Sequence, residues 1–171
     1  MPQGTTVRLG IAGLGAIGLA VARRVDAGEV PGIVLSAVAV RDEDKARKTV
    51  AAFRTPPRLT SLAGLAEAAD VILECLPPAQ FAAVAEPAVR QGRIFMPLSV
   101  GALLDHMHLV DLARETGARI VVPTGALLGL DAVRAVAEGV IASVRMVTRK
   151  PPAGLAGAPL LVRQGLSVHG L

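Results

Sequence analysis

Gly13, Gly15 and Gly18 stand in the spacing G-x-G-x-x-G, filled out by Leu14, Ala16 and Ile17. The chemistry this spacing supports is the holding of a diphosphate by bare main chain. The first glycine permits a tight turn off a strand, the second leaves backbone open to the anion, and the third lets a helix pack close to the sheet. The anion then faces unpaired N–H groups at the positive end of a helix dipole, so no side-chain cation is needed there.

Further candidates sit where apolar runs end. Arg41-Asp42 closes the run that begins at Ile33, 24 residues on from Gly18 at Asp42. In a dinucleotide fold an acid about 20 residues past the glycines bonds the adenosine ribose 2′-hydroxyl, and an arginine nearby accommodates a 2′-phosphate. Asp42 serves equally as the N-cap of the helix that Glu43 and Asp44 open. With Arg41 in first place, NADP is expected to be accepted at least as well as NAD. Glu74-Cys75-Leu76-Pro77-Pro78 and Ser99-Val100-Gly101-Ala102 also fall at the carboxyl ends of apolar runs, where open parallel sheets bind ligands. Cofactor contacts are expected there from Cys75, Leu76, Pro77, Ser99 and Gly101. Cys75 is read as a small buried hydrophobe in preference to a reactive thiol, and Glu74 as lining the site or bonding loop backbone. In Pro123-Thr124-Gly125-Ala126-Leu127-Leu128-Gly129, glycines and small residues suit close approach to a flat ring, with a plain loop-to-helix turn as the alternative.

His106 and His108 have no nearby serine, cysteine or paired-carboxylate pattern and are read as surface or packing residues. Three histidines without an HExxH spacing, together with a single cysteine, give no metal signal and no intrachain disulfide.

The elements that must position these residues alternate. Apolar runs beginning at Val7, Ile33, Arg58, Val71, Ile94 and Arg119 are separated by helical patterns, which predicts about six strands in an α/β, Rossmann-type doubly wound parallel sheet. In the first helix Ile17, Val21 and Val25 recur at helical spacing, and Gly28 supplies the stop. Pro87 is expected to kink or split the helix after Pro78, and Pro97 to move its strand toward an edge or bulge. Leu103, Met107, Val110 and Ala113 outline a further helical face. The pattern changes after residue 124. Val140, Ala142, Val144 and Met146 alternate with more polar neighbours, which predicts a strand with one wet face. Residues 1–124 are thus expected to form the dinucleotide domain and 125–171 the start of a second, α+β domain. Arg149 and Lys150 follow as a solvated strand end, with carboxylate binding as the alternative.

Composition limits the alternatives. The chain is 171 residues, 52% hydrophobic but only 2% aromatic, with mean hydropathy +0.54. Its longest uncharged stretch, residues 9–22, is 14 residues with four glycines, below the ~18 a membrane span needs. The amino terminus has no basic stretch leading into an apolar one, so a cytoplasmic protein is expected. A net charge of +4, scattered and without an aromatic platform, is a poor footprint for nucleic acid.

With these residues laid out, the chain resembles L-aspartate dehydrogenase. The resemblance rests on Gly13 to Gly18, Glu74-Cys75-Leu76-Pro77-Pro78, Leu98-Ser99-Val100-Gly101-Ala102-Leu103, and most specifically on Pro123 to Ala132 with Thr148-Arg149-Lys150-Pro151-Pro152. It implies NAD(P)-dependent oxidative deamination of L-aspartate to iminoaspartate, which hydrolyses to oxaloacetate and ammonia or feeds NAD biosynthesis. It also implies a small-molecule substrate and cofactor contact by Ala126 near the nicotinamide; a homo-oligomer is expected because the alternating face from Val140 onward leaves an apolar patch that drives self-association. The family's catalytic histidine, in an Asn-x-His-Glu stretch, is expected beyond Leu171, so no catalytic residue is assigned within this chain. A homoserine dehydrogenase-like reductase and a non-catalytic NAD(P)-binding module are the alternatives.

Overall fold

The structure is a computed structural model and describes residues 6–125, 129–147, 149–155 and 157–168. It divides into two compact units, 1–128 and 129–171.

The first unit holds six strands, β1 (Val7–Ala12), β2 (Ile33–Ala39), β3 (Arg58–Leu59), β4 (Val71–Glu74), β5 (Ile94–Pro97) and β6 (Arg119–Ile120). They pair in parallel in the order β3-β2-β1-β4-β5-β6. The helices α1 (Ala16–Asp26), α2 (Glu43–Val50), α3 (Leu65–Ala68), α4 (Phe81–Arg90), α5 (Val100–Leu103) and α6 (His108–Thr116) occupy the connections. The chain winds outward from β1 to β3, then returns to begin β4 on the other side of β1. Between β1 and β4 the direction of winding therefore reverses, which opens a crevice at the strands' carboxyl ends.

Helices on both faces explain why the central strands are largely apolar. Ile11, Val38, Ala22, Val25 and Val50 form one core under α1 and α2. Leu65, Ile72, Phe81, Val84, Phe95 and Leu109 form the other, under α3, α4 and α6. There the rings of Phe81 and Phe95 meet edge to face at 5.6 Å. Between β1 and β2 the register skips Ser36, whose hydroxyl donates to the Leu9 carbonyl at 3.0 Å. That bond occupies the polar group that the bulge would otherwise leave bare.

Several sequence expectations change in three dimensions. The face that α1 buries is Gly18, Ala22 and Val25, while Ile17 is 58% exposed. Crowding against the glycine turn has rotated the helix away from the larger apolar side chains. Pro87 does not split α4, which runs unbroken with Phe81, Val84, Ala85, Ala88 and Val89 buried. Burial of that face offsets the one helical hydrogen bond that proline cannot donate. Pro97 lies on an interior strand, because the N–H bonding Glu74's carbonyl comes from Leu98 and β6 pairs only with Ile94 and Phe95. The ladder asks no donor of it. The single helical face drawn through Leu103 and Met107 is broken by a 3₁₀ turn, Leu104–His106. The tighter winding shifts the buried set to Ala102, Leu109 and Ala113 and leaves Met107 exposed.

The second unit contains α7 (Leu130–Val136), a 3₁₀ turn at Pro152–Gly154, and α8 (Pro159–Arg163). Residues 140–147 form neither helix nor strand, contrary to the alternation, and Val140, Val144 and Met146 are exposed. A strand needs a neighbour to take its N–H and C=O groups, and among the described residues none lies alongside. Arg149 and Lys150 are exposed. Among the described residues no helix is long and apolar enough to cross a membrane.

At the amino ends of β1 and β4, Asp70 accepts from the Arg8 backbone N–H at 3.0 Å, from Nε at 3.1 Å and from Nη2 at 2.7 Å. In return the Asp70 N–H donates to the Arg8 carbonyl at 2.9 Å. These bonds to Arg8 lower the Asp70 carboxyl to about 2. A depressed carboxylate contributes stability above its unfolded pKa, near 4, and loses it as pH falls through the folded value. Asp70→Asn is therefore expected to lower the thermal midpoint at neutral pH. The gap from wild type should close between about pH 4 and pH 2, read by thermal unfolding across that range.

Candidate functional site

β1 ends at Ala12 and the chain turns at Gly13, whose φ of +94° is one that side-chain-bearing residues rarely adopt. Its N–H donates to the Ala39 carbonyl at 2.8 Å, while the Cys75 N–H donates to the Ala12 carbonyl at 2.8 Å. The β2 and β4 ends are thereby drawn against the turn. A Cβ on Gly13 would lie 2.7 Å from the Cys75 carbonyl oxygen and 2.9 Å from the Leu76 side chain, and one on Gly18 would collide with the Gly13 carbonyl. A Cβ on Gly15 would meet nothing within 4 Å. The protein itself thus requires glycine at 13 and 18, whereas at 15 the absent side chain only keeps space clear. Gly15 is also the N-cap of α1, with no side-chain cap and no acid in the first turn. The first N–H groups of the helix consequently have no intrahelical acceptor and face that space.

On one side of the turn lies a cavity of about 380 Å³ lined by Gly13, Leu14, Gly15, Leu19, Val40, Arg41, Asp42, Lys45, Ala46, Thr49 and Leu76. Asp42 both walls the cavity and caps α2, its carboxylate accepting from the Lys45 N–H at 3.0 Å. Lys45 was not singled out by the sequence reading. The signal for it is the cap itself, since a helix opening at Asp42 sets its first turn beside the end of β2.

On the other side, Gly15, Ala16, Ile17, Cys75, Leu76, Leu98 and Ser99 line a cavity of about 320 Å³. Beneath it Glu74 is fully buried at the end of β4. Its carboxylate accepts from the Leu76 N–H at 2.6 Å and the Ser99 N–H at 2.9 Å, and the Ser99 hydroxyl donates to the Leu76 carbonyl at 2.7 Å. Of the two roles weighed for Glu74, bonding loop backbone is the one observed. The Cys75 thiol is pushed up to about 11, first by burial and then by Glu74's charge. At neutral pH it is a thiol and a poor nucleophile.

Gly101 lies farther along, with Ser99, Pro78, Asp105 and His106, around a third cavity of about 380 Å³. Pro77 is exposed on the β4 loop and walls none of these three cavities. His106 is a packing residue, its Nδ1 bonded to the Ala102 carbonyl at 2.8 Å and its ring 5.2 Å from that of Phe81, with His108 beside it. Ala126 lies outside the described residues.

Residues 13–123 match the family described as homoserine dehydrogenase, NAD binding domain. The chain belongs to that family of NAD-binding domains. It is 51% identical to an L-aspartate dehydrogenase of Bradyrhizobium diazoefficiens over 96% of this chain and 58% of the relative. It is 47% identical to L-aspartate dehydrogenase 3 of Bordetella bronchiseptica over 94% and 59%, and 40% identical to the Methanocella arvoryzae enzyme over 96% and 62%. The chain therefore spans about three fifths of the length of these relatives. Among solved structures it shares its fold with biliverdin reductase from Synechocystis at TM-score 0.59 and 24% identity, covering 78% of this chain and 42% of that one. Apo scyllo-inositol dehydrogenase from Lactobacillus casei matches at TM-score 0.59 and 14% identity, covering 78% and 41%.

The domain's cofactor is NAD(P), and the open side of Gly15 has the space and the unpaired N–H groups that a diphosphate requires. Gly15→Ala is accordingly expected to leave stability within about 0.5 kcal/mol of wild type while weakening nucleotide binding at least roughly tenfold. Gly18→Ala should lose both. Thermal unfolding and titration calorimetry on the two variants distinguish a ligand-side glycine from a packing glycine.

Proposed function

We propose that this chain is the cofactor-holding part of an L-aspartate dehydrogenase, which oxidises L-aspartate with NAD(P)⁺ to iminoaspartate and so yields oxaloacetate and ammonia. The observation that carries this reading is the extent of the similarity. A glycine-rich turn alone would align around residues 13–18, whereas the likeness to L-aspartate dehydrogenases covers 96% of the chain. It takes in the segment after residue 124 as well as the sheet.

In this reading the main chain of Gly13 to Gly15 and the first N–H groups of α1 hold the diphosphate. Arg41, with Lys45 beside it, takes the ribose 2′-phosphate of NADP, and the free oxygen of Asp42 takes the 2′-hydroxyl of NAD. Cys75 and Leu76 of the β4 loop and Ser99 border the nicotinamide end. When bound, the cofactor supplies the hydride acceptor for the aspartate α-carbon. Residues 1–124 form the cofactor domain and 125–171 open the catalytic domain; no residue of this chain is assigned as the base. The enzyme is cytoplasmic and feeds NAD biosynthesis.

The test of activity follows nicotinamide reduction by the purified enzyme. Aspartate-dependent NADPH formation, absent with homoserine, is expected, and light scattering should size the active species as a homo-oligomer. Turnover with homoserine and not with aspartate would overturn the assignment. Cofactor choice is tested separately. Arg41→Ala is expected to reduce the NADP/NAD affinity ratio by about tenfold, from the loss of one charge-assisted contact. An unchanged ratio by calorimetry would remove Arg41 from that role.

A further inference from the structure

Glu74 is the one buried charged side chain among the described residues. Neutral groups surround it: the N–H groups of Leu76 and Ser99, and the Ser99 hydroxyl at 3.2 Å. Among the described residues no lysine, arginine or histidine makes an ion pair with it. A buried carboxylate normally has a cation nearby, because neutral donors solvate the charge without cancelling it. A cavity adjoins it, walled by its chain neighbour Cys75, by Leu76 and Ser99, whose N–H groups donate to its carboxylate, and by Leu98, whose N–H donates to its carbonyl. The charge is felt in that wall, since it contributes to raising the Cys75 thiol.

The chemistry of the ligand supplies the missing cation. With the diphosphate at the glycine turn and the 2′ position at Arg41, the remaining end of a nicotinamide dinucleotide extends to the opposite side of the turn, into this cavity. A nicotinamide ring carries a positive charge when oxidised and none when reduced. We propose that Glu74 is the counter-charge for the oxidised ring, so that this site selects the cofactor by oxidation state. It is a positioning residue, acting through its field and through the two loops it joins, and this inference rests on the cofactor reading above.

The test measures dissociation constants for the oxidised cofactor, the reduced cofactor and ADP-ribose, which lacks nicotinamide, on the full 171-residue chain. Glu74→Gln removes the charge at nearly constant shape, and Glu74→Asp keeps it. In Glu74→Gln the oxidised form should weaken about tenfold more than the reduced form, a difference of about 1.4 kcal/mol. Glu74→Asp should hold the wild-type ratio even if all three ligands bind less well. A purely structural carboxylate would weaken oxidised and reduced forms equally, and that result overturns the inference. If Glu74→Gln does not fold, wild type decides: the oxidised form should bind at least as tightly as the reduced, and a preference for the reduced form overturns it. ADP-ribose separates the two ideas. Its binding alongside an unchanged ratio sinks only the counter-charge, whereas no binding of any of the three sinks the cofactor reading and this inference together.

Discussion

Everything at the carboxyl end of the sheet depends on how closely three backbone segments approach one another. The turn after β1, the first turn of α1 and the loop after β4 meet where the Cys75 carbonyl would lie 2.7 Å from a Cβ on Gly13 and the Gly13 carbonyl is too near Gly18 for any side chain. Close packing at this point has two results. It fixes the direction in which α1 leaves the sheet, and it points the unpaired N–H groups of that helix into the crevice between β1 and β4. The same crowding explains why α1 buries Gly18 and Ala22 with Val25 and leaves Ile17 exposed.

A second constraint holds the far side of the crevice. The loops after β4 and β5 belong to strands with only four residues each, too short to fix their own ends. Glu74 and Ser99 join them, the carboxylate taking an N–H from each loop and the hydroxyl closing back onto Leu76. At the opposite, amino end, Arg8 and Asp70 tie β1 to β4 through three side-chain bonds and one backbone bond. The crevice therefore opens between two strands secured at both ends, which suits a site whose ligand must be held without rearrangement.

Charge is distributed along the crevice to match. Arg41 and Lys45 stand at one end, the helix N-terminus at the middle and a buried carboxylate at the other end. In the proposed reading, a dinucleotide with phosphates at its middle and a ring that is cationic when oxidised would meet the complementary sign at each step.

Periodicity and the glycine spacing were enough to determine the sheet, its parallel winding, and the placing of Gly13 and Gly15 after β1, Gly18 in the first turn of α1, and Arg41 and Asp42 after β2. Those features follow from local rules: which backbone angles a residue permits, and which faces a regular element presents to its neighbours. Tertiary structure alone decided the role of Glu74, the packing of His106, the exposure of Ile17 and the lack of a strand at residues 140–147. Each of these depends on a neighbour distant in sequence. Glu74 is a backbone clamp only because Ser99, 25 residues away, arrives beside it. The alternating residues after Val140 stay unpaired because alternation sets the faces of a strand, and a ladder requires a second one.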